Sequence, residues 1–191
     1  MGVDIEVTLR AKHEEFTQHS ILALSQLGAV CAALPDPLEV GACAIGEREF
    51  VENERWRLHP DCRVVWNWRS LLERHRKKPK KLEAAFYSQG ILCGLMYARV
   101  SRGRVSLNVR YIEGNPCPMS PLKGFVLPIA LIQADIFAKV IGAKEIGVSR
   151  PAEGLIDAYL GMSFQLTESD RRLEARGIKP RYHQLVRKLQ M

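Results

Sequence analysis

Apolar residues recur at near-helical spacing through residues 11–34, "AKHEEFTQHSILALSQLGAVCAAL", at Phe16, Ile21, Leu24, Leu27 and Val30, until Pro-Asp-Pro at 35–37 stops the pattern. This predicts one amphipathic helix. The segment 38–60 is weakly patterned and runs into "LHPD", where Asp61 is expected to cap a second helix through "CRVVWNWRSLLERHRKK". That helix should stop before Pro79, because a residue preceding proline disfavours the helical region. Trp66 and Trp68 inside it read first as packing residues, since large aromatics mostly serve burial.

From residue 82 the period changes to two. "LEAAFYS", "ILCGLMYARV" and "VSLNVRYIEG" are separated by Gln89-Gly90 and by "SRGR", whose Gly103 joins Gly90 as a turn residue, which predicts three antiparallel strands in a meander. In the third, Leu107, Val109 and Tyr111 alternate with Asn108, Arg110 and Ile112, so the first three are expected on one apolar face. The stretch "EGNPCPMSPLKGFVLPIALIQ", 113–133, then sets Pro116, Pro118 and Pro121 before the most apolar run of the chain. Proline fits a helix only in its first turn, so Pro128 puts the helix start near Gly124 and leaves 115–123 as loop. "FVLPIALIQADIFAKVIGA" is apolar nearly all round and ends at Gly142, which suits burial against a sheet. "KEIGVS" follows as a strand, and strand, helix, strand implies a right-handed crossover with parallel pairing. A short helix, "AEGLIDAYLGM", and strands near "SFQLT" and "RYHQLVRKL" complete an α/β chain.

Composition narrows the class without naming a chemistry. With 191 residues, 47% hydrophobic and 26% charged, the chain reads as one globular domain with an N-terminal extension. Its apolar runs fall short of the roughly 20 residues of a membrane span, so no membrane partner is expected. "MGVDIEVTLR" shows no secretory leader. Five cysteines without a CxxC pair read as reduced thiols in a cytoplasm, and five scattered histidines give no metal-ligand spacing. The net charge of +7 favours anionic company. The densest tract is "RHRKKPKK", where Arg74, Arg76, Lys77, Lys78, Lys80 and Lys81 make six of eight residues basic; a second lies in "RRLEARGIKPRYHQLVRK". Such tracts are read either as a solvated face or as the contact for nucleic acid or another acidic partner.

The proline-rich loop has two readings on its residues alone. It routes the chain, or it holds unpaired helix-start N–H groups ready for an anion, with Lys123 adding charge and Gly124 permitting close approach. The order of elements over 64–189 resembles the Gcn5-related N-acetyltransferase (GNAT) family, and two windows carry the likeness further. "PLKGFV" stands where the family has Arg/Gln-x-x-Gly-x-Gly/Ala, with Gly124 in register and Pro121 and Val126 departing from the pattern. "AYLGMSF" is similar to the family's Leu-Tyr-x-x-x-Gly-Phe, with Tyr159 and Phe164 in register.

The resemblance implies a GNAT-like mixed, mostly antiparallel sheet flanked by helices, with residues 1–60 as a helical extension and 61–191 as the acyltransferase domain. It implies acetyl-coenzyme A as co-substrate, held by Ile112, Lys123, Gly124, Phe125, Val126 and Ser149, with Arg150 beside its arm. Tyr159 would be the general acid toward the leaving thiolate, Glu113 the base toward the amine, and Asn108 and Tyr111 the acceptor side. The acceptor is not written in the sequence, and self-association as a homodimer is left open. Rival readings are a degenerate binding module of the same fold, and a transferase acting on nucleic acid or aminoacyl-tRNA.

Overall fold

A computed structural model of the chain describes residues 2–64 and 66–189. The first helix, α1, spans Gly2–Ala32 and so starts earlier than its apolar stripe. Its buried face is Phe16, Ala23, Leu24, Leu27 and Cys31; Ala23 and Cys31 take the places expected for Ile21 and Val30, which are exposed. The weakly patterned segment holds a strand, β1 (Gly41–Cys43), and a helix, α2 (Glu47–Trp56). Neither was legible, because β1 is three residues long and α2 buries only Glu49, Asn53 and Trp56. Glu49 fixes the start of α2 by accepting from the Gly46 N–H at 2.7 Å.

Helix α3 is shorter than expected, Trp68–His75. Asp61 does not cap it. Asn67 does, accepting from the Ser70 N–H at 2.9 Å one residue before the apolar spacing of Trp68, Leu71 and Leu72 begins. The meander is present as β2 (Lys81–Ser88), β3 (Ile91–Val100) and β4 (Ser106–Gly114). Helix α4 (Val126–Val140) has Pro128 in its first turn and Gly142, at φ +69°, just beyond its end. It leads to β5 (Glu145–Ser149), which pairs parallel with β4. A 3-10 turn and α5 (Ile156–Gly161), β6 (Gln165–Leu166), an unforeseen helix α6 (Glu168–Glu174) and β7 (Gln184–Lys188) finish the chain. The sheet order is β1-β2-β3-β4-β5-β7-β6, antiparallel except at β4–β5.

Each face of the sheet has its own core. On one, α1 and α4 cover Phe86, Met96, Leu107, Val109 and Ile146. On the other, Trp56 of α2 and Trp68, Leu71 and Leu72 of α3 cover Leu95 and Tyr97. Gly94 sets how closely the start of α4 approaches the sheet: a Cβ there would lie 2.5 Å from Val126 Cγ1. Gly94→Ala should therefore destabilise the fold by about 1–3 kcal/mol, the usual cost of overpacking. Adding Val126→Ala should recover most of the loss in a denaturant titration; an unchanged midpoint for Gly94→Ala would contradict this contact.

Candidate active site

The site begins with one extra residue in β4. Tyr97 pairs with Tyr111 and Ala98 with Val109, so Arg110 bulges out with no partner on β3. The bulge reverses the alternation. Leu107 and Val109 stay in the core under α4, whereas Tyr111 packs on the α2–α3 side, contrary to the expectation that all three share a face. Beyond the bulge β4 also loses its other neighbour, because pairing with β5 ends at Val109–Val148. The two strands part, and the edge of β4 from 110 to 114 keeps unpaired main-chain groups.

A cavity of about 900 Å³ opens at this parting. Its walls include Trp66 from the loop before α3, Arg110 to Gly114 of β4, the loop before α4, and Ser149 and Arg150 after β5. Tyr111, Ile112, Glu113, Lys123, Gly124, Val126, Ser149 and Tyr159 of the expected set all line it. Two do not. Phe125 is the residue before α4 and is 48% exposed. Asn108 lies before the bulge, in the closed part of the sheet, where its Oδ1 accepts from Gln184 Nε2 across Gly147.

The loop before α4 is held by its own hydrogen bonds. Asn115 Nδ2 donates to the Leu92 carbonyl at 2.8 Å, Asn115 Oδ1 accepts from the Cys117 N–H at 2.9 Å, and Lys123 Nζ donates to the Pro116 carbonyl at 2.8 Å. The Phe125 N–H is satisfied by the Leu122 carbonyl at 2.9 Å. The N–H groups of Gly124, Val126 and Leu127 find no acceptor among the described residues. Gly124 has φ +84° and open space where a Cβ would stand, so the backbone is accessible there. Val126, which departs from the family pattern, turns its side chain inward onto Gly94 and Gly114 and so leaves the anion side clear.

Glu113 is the chemically distinctive residue. It is 4% exposed, and burial pushes its carboxyl up to about 7 even though Trp68, Asn53 and Arg57 all favour the anion. Trp68 Nε1 donates to Oε2, while Asn53 Nδ2 faces the carboxylate without a partner of good hydrogen-bond geometry. Arg57 is itself fixed by donating from Nη2 to the Trp66 carbonyl at 2.8 Å. Tyr159 is 4% exposed, stacks edge-on to Phe164 with centroids 5.7 Å apart, and is pushed up to about 12 by burial. One wall thus carries a carboxyl that exchanges its proton near neutrality, and another a phenol that keeps its proton.

Sequence reasoning missed Trp68, Asn53 and Arg57, which come from α3 and from the α2 region and have no fixed spacing from Glu113. The signal was present only in part: Trp68 stands one residue after a capping Asn67, which marks it as an inward residue of the first turn.

No protein-family model matches the sequence, and no curated protein matches it. Solved structures do match. N-acetylglutamate synthase of Neisseria gonorrhoeae, solved with coenzyme A and N-acetylglutamate, superposes with a TM-score of 0.54 at 17% identity over 80% of this chain. The present chain spans only 35% of that protein's length. The PaiA N-acetyltransferase of Thermoplasma acidophilum, solved with coenzyme A, gives 0.50 at 10% identity over 80% of this chain and 100% of its own. The ribosomal-protein-S18-alanine N-acetyltransferase of Escherichia coli gives 0.52 at 8% identity, over 80% and 95%. At these identities the likeness is one of fold. The bulged fourth strand, the parting from β5 and the exposed start of α4 therefore sit in a chain that has the fold of the GNAT N-acetyltransferases.

Proposed function

We propose that this protein is an N-acetyltransferase that takes an acetyl group from acetyl-coenzyme A and gives it to an amine. The observation that carries the reading is Glu113, a carboxyl poised near pH 7 on the wall of the cavity that Tyr159 and the start of α4 also line. The residues fit the co-substrate. Pyrophosphate oxygens require donors, and the N–H groups of Gly124, Val126 and Leu127 offer three, with the charges of Lys123 and Arg150 on the same cavity. An arm containing amides fits the unpaired edge of β4, as an added strand would. Solved structures of the same fold hold coenzyme A.

Acetyl-coenzyme A supplies an acetyl group activated on sulfur: nitrogen bonds to the acetyl carbon, the carbon–sulfur bond breaks, nitrogen loses a proton and sulfur gains one. Glu113 accepts the nitrogen's proton and must be ionised to do so. Tyr159 donates its hydroxyl proton toward sulfur and regains one from solvent. Trp68 and Arg57 hold the Glu113 carboxylate in place as its charge forms.

Gly124→Val tests the reading at its anion end. A branched residue at φ +84° is strained by roughly 1–2 kcal/mol and covers the free N–H groups, so calorimetry should show coenzyme A affinity falling at least about tenfold. Circular dichroism should remain native. Equal affinity in the variant would make the loop a connector and overturn the assignment.

A further inference from the structure

The basic tract at 74–81 divides in two. Arg76 pairs with Glu73 at 3.3 Å, Lys80 donates to the Arg102 carbonyl at 2.8 Å, and Lys81 pairs with Glu83 at 2.6 Å. These three are used within the protein. Arg74, Lys78 and, at the bulge, Arg110 are exposed and Arg99 of β3 is half-buried; none of the four has an ion pair among the described residues, and Arg74 Nε donates only to the Ser70 carbonyl of its own helix at 3.3 Å. Burial first, and then the charges of Lys78, Arg99, Arg110 and Arg74, hold the imidazole of His75 below its usual pKa. Contacts place the four in sequence: Arg74 flanks His75 at the end of α3, His75 stacks on Tyr97, Arg99 lies two residues along β3 from Tyr97, and Arg110 lines the cavity beside Tyr111, whose ring centroid is 6.0 Å from that of Tyr97.

Beneath that row the hydrogen bonding is incomplete. His75 stacks on Tyr97 with centroids 5.0 Å apart, and Tyr97 is wholly buried. His75 Nδ1, the Tyr97 hydroxyl and Arg99 Nε are all buried without a partner, and all three can donate. At the cavity mouth the cations meet half-buried aromatics, with Trp66 edge-on to Tyr111 at 4.2 Å.

We propose that the acceptor amine is carried on a single-stranded nucleic acid, whose phosphates lie along Lys78, Arg74, Arg99 and Arg110 and whose terminal base meets Trp66 and Tyr111. This rests on the acyl-transfer reading of the cavity. A lone carboxylate on a small acceptor would be satisfied by Arg110 and one neighbour. A row of unpaired cations leading away from the site matches repeated negative charge. The aromatic pair favours nucleic acid over an acidic peptide, because bases stack on such rings while aspartate and glutamate side chains do not.

Fluorescence anisotropy with a labelled single-stranded RNA of about 12 nucleotides tests this on the full chain. We expect binding at low salt, and the triple variant Arg74→Gln, Lys78→Gln, Arg99→Gln should bind at least about tenfold more weakly. Its slope of log affinity against log salt should flatten by about 2, at roughly 0.7 per lost phosphate contact. Arg74→Gln with Lys78→Gln, both at exposed positions, gives a smaller loss in the same direction and guards against misfolding of the triple. Arg171→Gln with Arg172→Gln, which pair with Glu168 on α6, should change nothing. No RNA binding at low salt, or a triple variant that binds like the parent, overturns the proposal. Competition by polyglutamate as strong as by RNA of equal charge also overturns it and assigns the surface to an acidic protein. Coenzyme A titrated into the same samples separates the two levels: coenzyme binding without RNA binding sinks this inference alone, whereas loss of both sinks the reading of the cavity.

Discussion

Glu113→Gln is expected to lower turnover by about 100-fold or more, the scale on which a positioned base contributes, while coenzyme A affinity stays unchanged. In the parent protein kcat/KM should rise with pH through a midpoint at about 7, since Glu113 must lose its proton to act. Stability should run the other way. The folded-state value of about 7 lies above the ordinary 4.5, so the fold holds this proton more tightly than the unfolded chain does. Stability linked to Glu113 is complete below about 4.5 and is lost as pH rises through about 7. By pH 8 the loss is on the order of 3 kcal/mol. Glutamine carries no such charge, so the variant should unfold at higher temperature than the parent at pH 8, with the gap closing at pH 5. A variant that is equally active, or one that is less stable at pH 8, would make Glu113 a structural acid.

Tyr159→Phe removes one hydroxyl and little volume. The ring keeps its edge contact with Phe164, so the melting temperature and coenzyme A affinity should barely move. Turnover should drop by about 100-fold where chemistry is rate-limiting. Burial pushes the phenol up to about 12, so it remains protonated through the working range and no alkaline fall in rate below pH 10 should trace to it. Full turnover in the variant would return the proton donation to water and Tyr159 to the core.

Much of the fold was legible because a few residues have few uses. Pro128 tolerates only a first turn, and the helix start falls two residues past Gly124. Gln89-Gly90 and Gly103 marked the turns of the meander, and the "AYLGMSF" spacing placed Tyr159 on α5 facing the cavity. What was illegible depended on partners distant in sequence. Both faces of β4 carry apolar residues, so its own alternation gives no sign that Arg110 is unpaired; only the register against β3 does. That one bulge puts Tyr111 on the other face and turns Arg110 toward the cavity, while Asn108, before the bulge, stays in the part of β4 still paired with β5. Likewise the tract 74–81 looks uniform in sequence, yet half its charges are consumed by Glu73, Glu83 and a carbonyl, while Arg99 and Arg110 join from strands. The place of Glu113 at the lip of the loop is legible in the sequence, whereas its poise near pH 7 comes from burial beneath elements distant in the chain, which outweighs the anion-favouring contacts of Trp68, Asn53 and Arg57.

Transfer of labelled acetyl from acetyl-coenzyme A tests the central claim most directly. The purified protein is offered representative small amines, peptides and aminoacylated RNA, and acid-stable amide product is counted against the Glu113→Gln variant. We predict labelled amide from at least one of these classes with the parent protein and about 100-fold less with the variant. Coenzyme A binding accompanied by amide formation no faster than the variant's, for every class offered, would contradict the account and leave a binding module on the same fold.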